Sequence, residues 1–443
     1  MHNLYDLIGI GIGPFNMSLA ALLEKTSGQK SLFLEKTPHF VWHPGMLMKN
    51  SKLQVHYLKD LVTLADPTNP YSFLMFLSEH KRLYKFLNQK TSVISRLEFN
   101  HYLQWVSKKL SNLKFGIDVS SVSFEKDSFF IKTNCGVYQS HHLVLGTGRA
   151  PHIPDCLKFL KSETLFHSSE YLQKTKPLKG KSVAIIGGGQ SGAEILHDIL
   201  NKENDLPAEI LIASKRLNFQ PMDDSCFTNE FFTPSYAKLF YHLDEKTRHE
   251  LLKQQLLASD GISQDLADEI YRRIYELKYI LNSPISINFF FNHRLTHARP
   301  YHEKYRLQFQ NRNDGKSQYF DADHVILCTG YRYKIPKFLE PILNKIEFNE
   351  KDYIVNEDYS IKWQHEKTNK IFVQNCARNT HGIADPNLSL AAWRSAKIIN
   401  SLFQKHHYED MPDESWITTQ NSLDEQQEEM LPNFSLSQTW ATL

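Results

Sequence analysis

Two glycine-rich turns constrain this chain more than anything else in it: Gly11-Ile12-Gly13-Pro14-Phe15-Asn16 near its start, and Gly187-Gly188-Gly189-Gln190-Ser191-Gly192 in its middle. A G-x-G-x-x-G run carries meaning only where a strand ends and a helix begins. There the glycines make the turn, let backbone amides approach a pyrophosphate and allow close helix packing. Both runs meet that condition. Before the first lies the apolar run 5–10, and after it residues 17–23 read as an amphipathic helix whose N-terminus faces the phosphates. Asn16 stands where Gly or Ala is usual. The next strand, 30–35, ends in Glu35 at the spacing of a ribose-binding acid, which suits the adenosine ribose of FAD.

The second copy is fuller. Strand 182–186 leads into Gly187, Gly189, Gln190, Ser191 and Gly192, and helix follows. Its next strand, 209–213, ends in Ser214-Lys215-Arg216 rather than in an acid. A carboxylate there would repel a 2′-phosphate, whereas cations and a hydroxyl accept one, so the second nucleotide is expected to be NADPH. A merely solvated basic turn is the alternative. A chain that grips two dinucleotides is best suited to passing electrons between them.

The 443 residues suffice for two or three domains, and 41% apolar with 23% charged residues is ordinary for a globular protein. A net charge of +2 gives no reason to expect a nucleic-acid or membrane-surface partner. The cysteines, Cys135, Cys156, Cys226, Cys328 and Cys376, form no C-x-x-C, which argues against a zinc site, a disulfide framework or a dithiol pair. The first strand begins too early to leave room for a signal peptide. No apolar stretch approaches the roughly 20 residues of a membrane span, so a cytoplasmic protein is expected.

The expected architecture is α/β: two Rossmann-like dinucleotide-binding domains, the second inserted in the first, plus a small helical substrate subdomain. Apolar strands closing in Gly146-Thr147-Gly148 and Cys328-Thr329-Gly330-Tyr331 mark the crossings between them. The FAD domain is assigned to 1–170 and 324–408, the NADPH domain to 177–219 and 284–323, and the helical subdomain to 220–283. That subdomain is read as hung on the NADPH domain, with Leu266, Ile270, Ile274 and Leu277 on one helix face. Residues 409–443 read as a loosely ordered acidic tail in which Trp440 is the one docking candidate.

The order GIGIGPFN, WHPGMLM, LKDLVTLADPTNPYSF, GTG, GGGQSGAE, DDSCFTNEFFTPSY, CTGY and HGIADPNLSLAAWRSA resembles the microbial amine N-monooxygenases of siderophore biosynthesis. It is most similar to their lysine, diamine and histamine N-hydroxylase branch, over residues 1 to about 405. The resemblance implies FAD, NADPH and O2 as reactants and an N-hydroxylated primary amine as product. It also implies a homo-oligomer, dimer or tetramer. By the same resemblance Trp42, His43, Met46 and Gln54 lie beside the flavin ring, and Leu388 and Ser389 belong to the cofactor site. Lys59 in the K-D-L-x-T-L motif and Asn229 in the N-E-x-F segment would meet a substrate carboxylate. The competing reading of Lys59 is an exposed loop lysine or a partner for Asp60.

Gln220-Pro221-Met222-Asp223-Asp224 lacks the Arg found before Pro in the ornithine branch, which moves the expected phosphate grip to Lys215 and Arg216. The 381–389 segment lies nearer the lysine and diamine branch. Phe166-His167-Ser168-Ser169-Glu170-Tyr171 resembles the end of a flavin-monooxygenase signature whose upstream Phe and Gly are missing.

Such chemistry needs the amine as its free base, because the attacking oxygen species is an electrophile. Holding an alkyl ammonium of pKa near 10.4 neutral at pH 7 amounts to roughly 4 to 5 kcal/mol, and a desolvated pocket is the means. No triad or metal is required, since the cofactors carry the hard chemistry. His43, His56, His167 and His381 sit near motifs as candidates for proton transfer, with ordinary packing as the alternative. The other functional readings are an NADPH–flavin oxidase or reductase without N-hydroxylation, and a non-catalytic NADPH sensor.

Overall fold

The computed structural model describes residues 4–26, 28–160, 162–409 and 416–417. Apart from residues 409, 416 and 417, the acidic tail, with Trp440, lies outside them.

The first unit is built on β1 (Leu4–Ile10), β2 (Ser31–Glu35), β3 (Leu113–Phe115), β4 (Val119–Glu125), β5 (Ser128–Thr133) and β6 (Gly136–Leu145). They lie in the order β3-β2-β1-β6-β5-β4, with strand Ile371–Val373 added parallel to β6. β1 runs parallel between β2 and β6, and its last four residues are buried without alternation, as a strand covered on both faces requires. β4, at the sheet's antiparallel end, alternates inward and outward residues. Helix α1 (Pro14–Leu23) packs against helix Ala391–Phe403, with the Ser18 hydroxyl 2.5 Å from Leu61 O and 3.0 Å from Ser395 Oγ.

The chain leaves through β7 (Ala150–Pro151) and enters a second unit made of β8 (Leu165–His167), β9 (Ser182–Ile186), β10 (Glu209–Ser214), β11 (Ser286–Phe291), β12 (His293–Tyr301), β13 (Lys304–Asn311), β14 (Ser317–Ala322) and β15 (His324–Leu327). The parallel order β11-β10-β9-β15-β8 forms its main sheet, and β12, β13 and β14 form a smaller antiparallel one. The return strand β16 (Tyr331–Arg332) pairs antiparallel with β7, so the outgoing and incoming crossings form one short ribbon.

Two boundaries differ from the sequence expectation. Residues 165–167 and 324–327, assigned to the first unit, belong to the second sheet, because β15 pairs in parallel with both β9 and β8. A strand followed by Thr-Gly closes the sheet it has just left. The helical segment also departs from expectation, since it is not hung on the second unit alone. Phe232, Ala237 and Ala258 join the first unit's core, while Ile262, Ile270 and Leu277 join the second's. Leu266 and Ile274 pack beside the latter, on the helix face the periodicity picks out.

The C-terminal motif is anchored by a buried ion pair. Arg394 is fully buried on helix Ala391–Phe403; its Nη1 lies 3.0 Å from Asp385 Oδ1 and its Nη2 2.7 Å from Asp385 O. Asp385 Oδ2 accepts from Ala377 N–H at 2.9 Å. Removing one partner of such a pair leaves an uncompensated buried charge, at about 3–5 kcal/mol. Asp385→Ala is therefore expected to lower unfolding stability by about that amount in a urea titration, far more than a surface change.

Nearby, His381 stacks on Tyr359 with ring centroids 4.1 Å apart. Burial, aided by Lys397 and Arg394, lowers its pKa to about 3. The unfolded chain takes this proton near pH 6.5 and the folded one does not, so stability falls as pH drops from about 6.5 toward 3. His381→Phe should flatten that part of a stability-versus-pH curve.

Candidate active site

Parallel strands end together, so the first fingerprint sits beside Glu35. Ile12 N–H donates to Glu35 Oε2 at 2.9 Å, and Thr37 N–H donates to Oε1 at 3.0 Å, which holds the carboxylate at the turn with acceptor capacity left over. Gly11 has φ +91°, and a Cβ there would meet Gly146 O at 2.4 Å. Asn16 fits the third fingerprint position because it faces Gly146, whose missing Cβ would fall 2.3 Å from its amide. Its Nδ2 donates to Gly11 O at 2.8 Å and braces the turn.

The residues fit FAD. Gly13 caps the helix that begins at Pro14 and has open space where a side chain would stand. Beside the fingerprint, Gln374 Oε1 and Asn375 Oδ1 are buried without a hydrogen-bond partner, while Gln374 Nε2 reaches Phe15 O at 3.4 Å. Sequence reading missed both; the signal was their place at the end of an apolar strand just before the 381–389 motif.

The second fingerprint opens on a cleft of about 850 Å³. Gly187, Gly189, Gln190, Ser191, Lys215 and Arg216 line it, joined by Gln54 from the first unit. Gly192 has a packing role, since a Cβ there would meet Gly187 O at 2.2 Å. Arg216 Nη1 is buried without a partner and Lys215 is exposed, so the cleft has two cations ready for an anion. Arg294 on β12 and Arg332 on β16 also line it. No local pattern marks those two, because the sheets that carry them meet only in three dimensions. These features fit NADPH.

A smaller cavity of about 270 Å³ borders the second fingerprint at Ser191, and Trp42, His43, Met46, Gln54, Ser191 and Leu388 line it together. Leu53, Val55, Arg96, Tyr331, Pro386 and Asn387 complete the wall. Gln54 and Ser191 border both spaces, so the cavity and the cleft are neighbours. Gln54 Nε2 lies 3.3 Å from Gln190 Oε1, and Arg96 clasps Glu194 through two contacts of 2.9 Å, which ties the first unit to the second-fingerprint helix. His43 is reachable from the cavity but ringed by protein. Burial and the Arg96 guanidinium lower its pKa to about 4. Gly45 lets the Trp42–Met46 segment pass against Ser169, whose carbonyl oxygen would stand 2.0 Å from a Cβ.

Ser389 lies behind the wall, donating to Asn387 Oδ1 at 2.8 Å. His167 Nε2 meets Gly330 O at 3.0 Å, so the signature-like segment supports the crossing. Lys59 lines neither the cleft nor the cavity. It is half-buried, its ammonium has no hydrogen-bond or ion-pair partner among the described residues, and burial lowers its pKa. It does not pair with Asp60, which is buried and accepts from Val62, Thr63 and Phe73 N–H. Asn229 is exposed, with its Nδ2 3.0 Å from Asp224 O, and it too lies outside both spaces.

The family profile for L-lysine 6-monooxygenase/L-ornithine 5-monooxygenase matches residues 3–333. The chain belongs to this family. The L-lysine N6-monooxygenase of Escherichia coli is 39% identical over 398 residues, covering 89% of this chain and 93% of that protein. The FAD-bound structure of DfoA, the cadaverine monooxygenase of the desferrioxamine pathway in Erwinia amylovora, superposes with TM-score 0.88 at 32% identity, covering 94% of this chain and 99% of that one. An ornithine N-hydroxylase from Kutzneria sp. 744, KtzI, solved with reduced FAD, NADP+ and L-ornithine, gives TM-score 0.85 at 26% identity, covering 91% and 99%. The protein is thus an FAD- and NADPH-dependent amine N-monooxygenase of siderophore biosynthesis, which takes an amine and O2. Among the described residues no helix is long and apolar enough to cross a membrane.

For this N-monooxygenase the cleft cations make a direct prediction. Arg216→Ala should raise the KM for NADPH about ten- to a hundredfold, the worth of a charged hydrogen bond, and leave that for NADH nearly unchanged. Equal changes for both nucleotides in a steady-state oxidation assay would contradict the phosphate role.

Proposed function

We propose that this N-monooxygenase acts in the cytoplasm on a linear aliphatic amine with lysine as its leading substrate, Lys59 receiving the carboxylate. The observation that carries the reading is the half-buried Lys59 ammonium without a partner, in a segment that runs directly on from Gln54 at the cavity wall. A diamine is the second reading. It is favoured by the engagement of Asn229 with Asp224 O and by the cadaverine monooxygenase among the similar structures. Histamine remains the third amine of the branch.

Gly11, Gly13, Pro14, Asn16 and Glu35 would hold FAD by its adenosine and pyrophosphate, with Trp42, His43, Met46, Gln54, Leu388 and Ser389 around its ring. Gly187, Gly189, Gln190, Ser191 and Gly192 would hold NADPH, and Lys215 and Arg216 its 2′-phosphate. When bound, the two cofactors supply hydride and an O2-derived oxygen electrophile. The chain's own residues then have two tasks. The first is dryness, to which the Trp42 ring contributes from its edge-on contact with Phe99, at centroids 5.4 Å apart. The second is to keep the amine unprotonated. The Arg96 charge that helps depress His43 acts on an alkyl ammonium in the same cavity in the same sense, and desolvation adds to it.

Hydroxylamine formation from lysine, ornithine, putrescine, cadaverine and histamine tests the reading. Lysine should give the highest kcat/KM, and Lys59→Ala should raise the KM for lysine about tenfold or more while leaving cadaverine within about twofold. Equal effects on the two would remove the carboxylate role. NADPH oxidation without hydroxylamine from any of the five would instead favour an oxidase.

A further inference from the structure

Strand pairing brings together two segments that leave the second sheet. β15 runs parallel to β8 with Leu327 opposite His167, so the one-turn helix Ser168–Glu170 and the crossing at Gly330 and Tyr331 emerge side by side. Tyr331 reaches the wall of the small cavity, whereas His167 is buried and does not line it. Two hydroxyls join them. Tyr331 hydrogen-bonds Ser169, and Ser169 Oγ lies 3.0 Å from His167 Nδ1. The His167 and Tyr331 rings meet edge-on, with centroids 5.0 Å apart. The imidazole is set to accept on the side that faces these hydroxyls. Ser169 N–H donates to Nδ1 at 3.2 Å, while Nε2 faces Gly330 O at 3.0 Å; a carbonyl only accepts, so the resting proton sits on Nε2 and Nδ1 keeps its lone pair. Burial lowers the His167 pKa, against the Gly330 carbonyl and the Glu170 carboxylate and together with His152, so the ring is neutral at pH 7. Burial raises that of the Tyr331 phenol, which stays a hydroxyl able to accept and donate at once.

We propose that Tyr331, Ser169 and His167 form the path by which a substrate ammonium in the small cavity loses its proton. The ammonium N–H gives its proton to Tyr331 Oη as the phenolic proton moves to Ser169 Oγ and the Ser169 proton moves to His167 Nδ1. A free amine and an imidazolium result, with both hydroxyls restored and no change in electron count. The imidazolium keeps its Nε2–H on Gly330 O, and the half-exposed Glu170 carboxylate favours its charge. His43 lines the cavity itself but is a poorer acceptor, because burial and Arg96 lower its pKa to about 4. The path rests on the proposed reaction of the amine as its free base, and it names the groups that take the proton.

The test mixes the full-length, FAD-loaded protein with lysine, and in parallel with cadaverine, in weakly buffered solution at pH 7 containing a pH-indicator dye. The unaltered protein should release about one proton per amine bound, since the free amine carries one fewer than the ammonium. Tyr331→Phe and Ser169→Ala each delete one hydroxyl, and retained flavin absorbance verifies their fold. Both should release the same number of protons and bind the amine with similar affinity, but release them about tenfold or more slowly, at the low side of what positioned proton transfer supplies. His167→Phe should slow release to a like degree. Release at the unaltered rate in Tyr331→Phe and Ser169→Ala would overturn the path and leave the free-base reading standing. Fewer protons released by the variants would overturn it too, because the hydroxyls would then support the bound amine rather than conduct. No release from the unaltered protein with either amine would remove the free-base reading and the path with it.

Discussion

Two of the close backbone contacts in this molecule join a fingerprint to a crossing, and the rest of its architecture is arranged around them. The first glycine of each fingerprint lies against the residue that opens a crossing: Gly11 against Gly146, Gly187 against Cys328, each too close for any side chain. The turn that approaches a nucleotide is therefore also the turn that the chain passes over on its way to the other unit. Because the two crossings pair as β7 and β16, the nucleotide sites share one ribbon, and neither can shift far without the other.

That shared ribbon brings several parts of the chain to the small cavity, which is walled from several directions. Trp42, His43 and Met46 come from the first unit, Ser191 from the second, Tyr331 from the crossing and Leu388 from the last motif. The buried Asp385–Arg394 pair holds this last motif, and the Arg96–Glu194 clasp holds the two units at the cavity's edge. The cations are distributed unequally. Arg96 stands at the small cavity paired with Glu194, while Lys215, Arg216, Arg294 and Arg332 gather at the larger cleft.

Local pattern was a good guide wherever chemistry depends on neighbours in the chain. The turns around Gly11 and Gly187, the acid at Glu35, the cations after β10 and the helix face of Ile270 and Leu277 all follow from short spacings. Asn16 departs from the Gly or Ala usual at the third position, and what makes room for it is Gly146, 130 residues later in the chain. Strand membership was harder. His324–Leu327 reads equally well as the last strand of one sheet or the first of another, and only its parallel partners β8 and β9 assign it.

Arg96, Arg294 and Arg332 had no local signature, and each is at a site because sheets or helices distant in sequence converge there. Chain order and residue type thus dictated that two glycine-rich strand-to-helix turns exist, with an acid after the strand that follows one and cations after the strand that follows the other, since a turn and its first helical amides are made within a few residues. How the turns face each other, which cations reach the cleft and how the wall of the cavity closes were decided by long-range packing. Those contacts join residues whose separation along the chain carries no periodic trace.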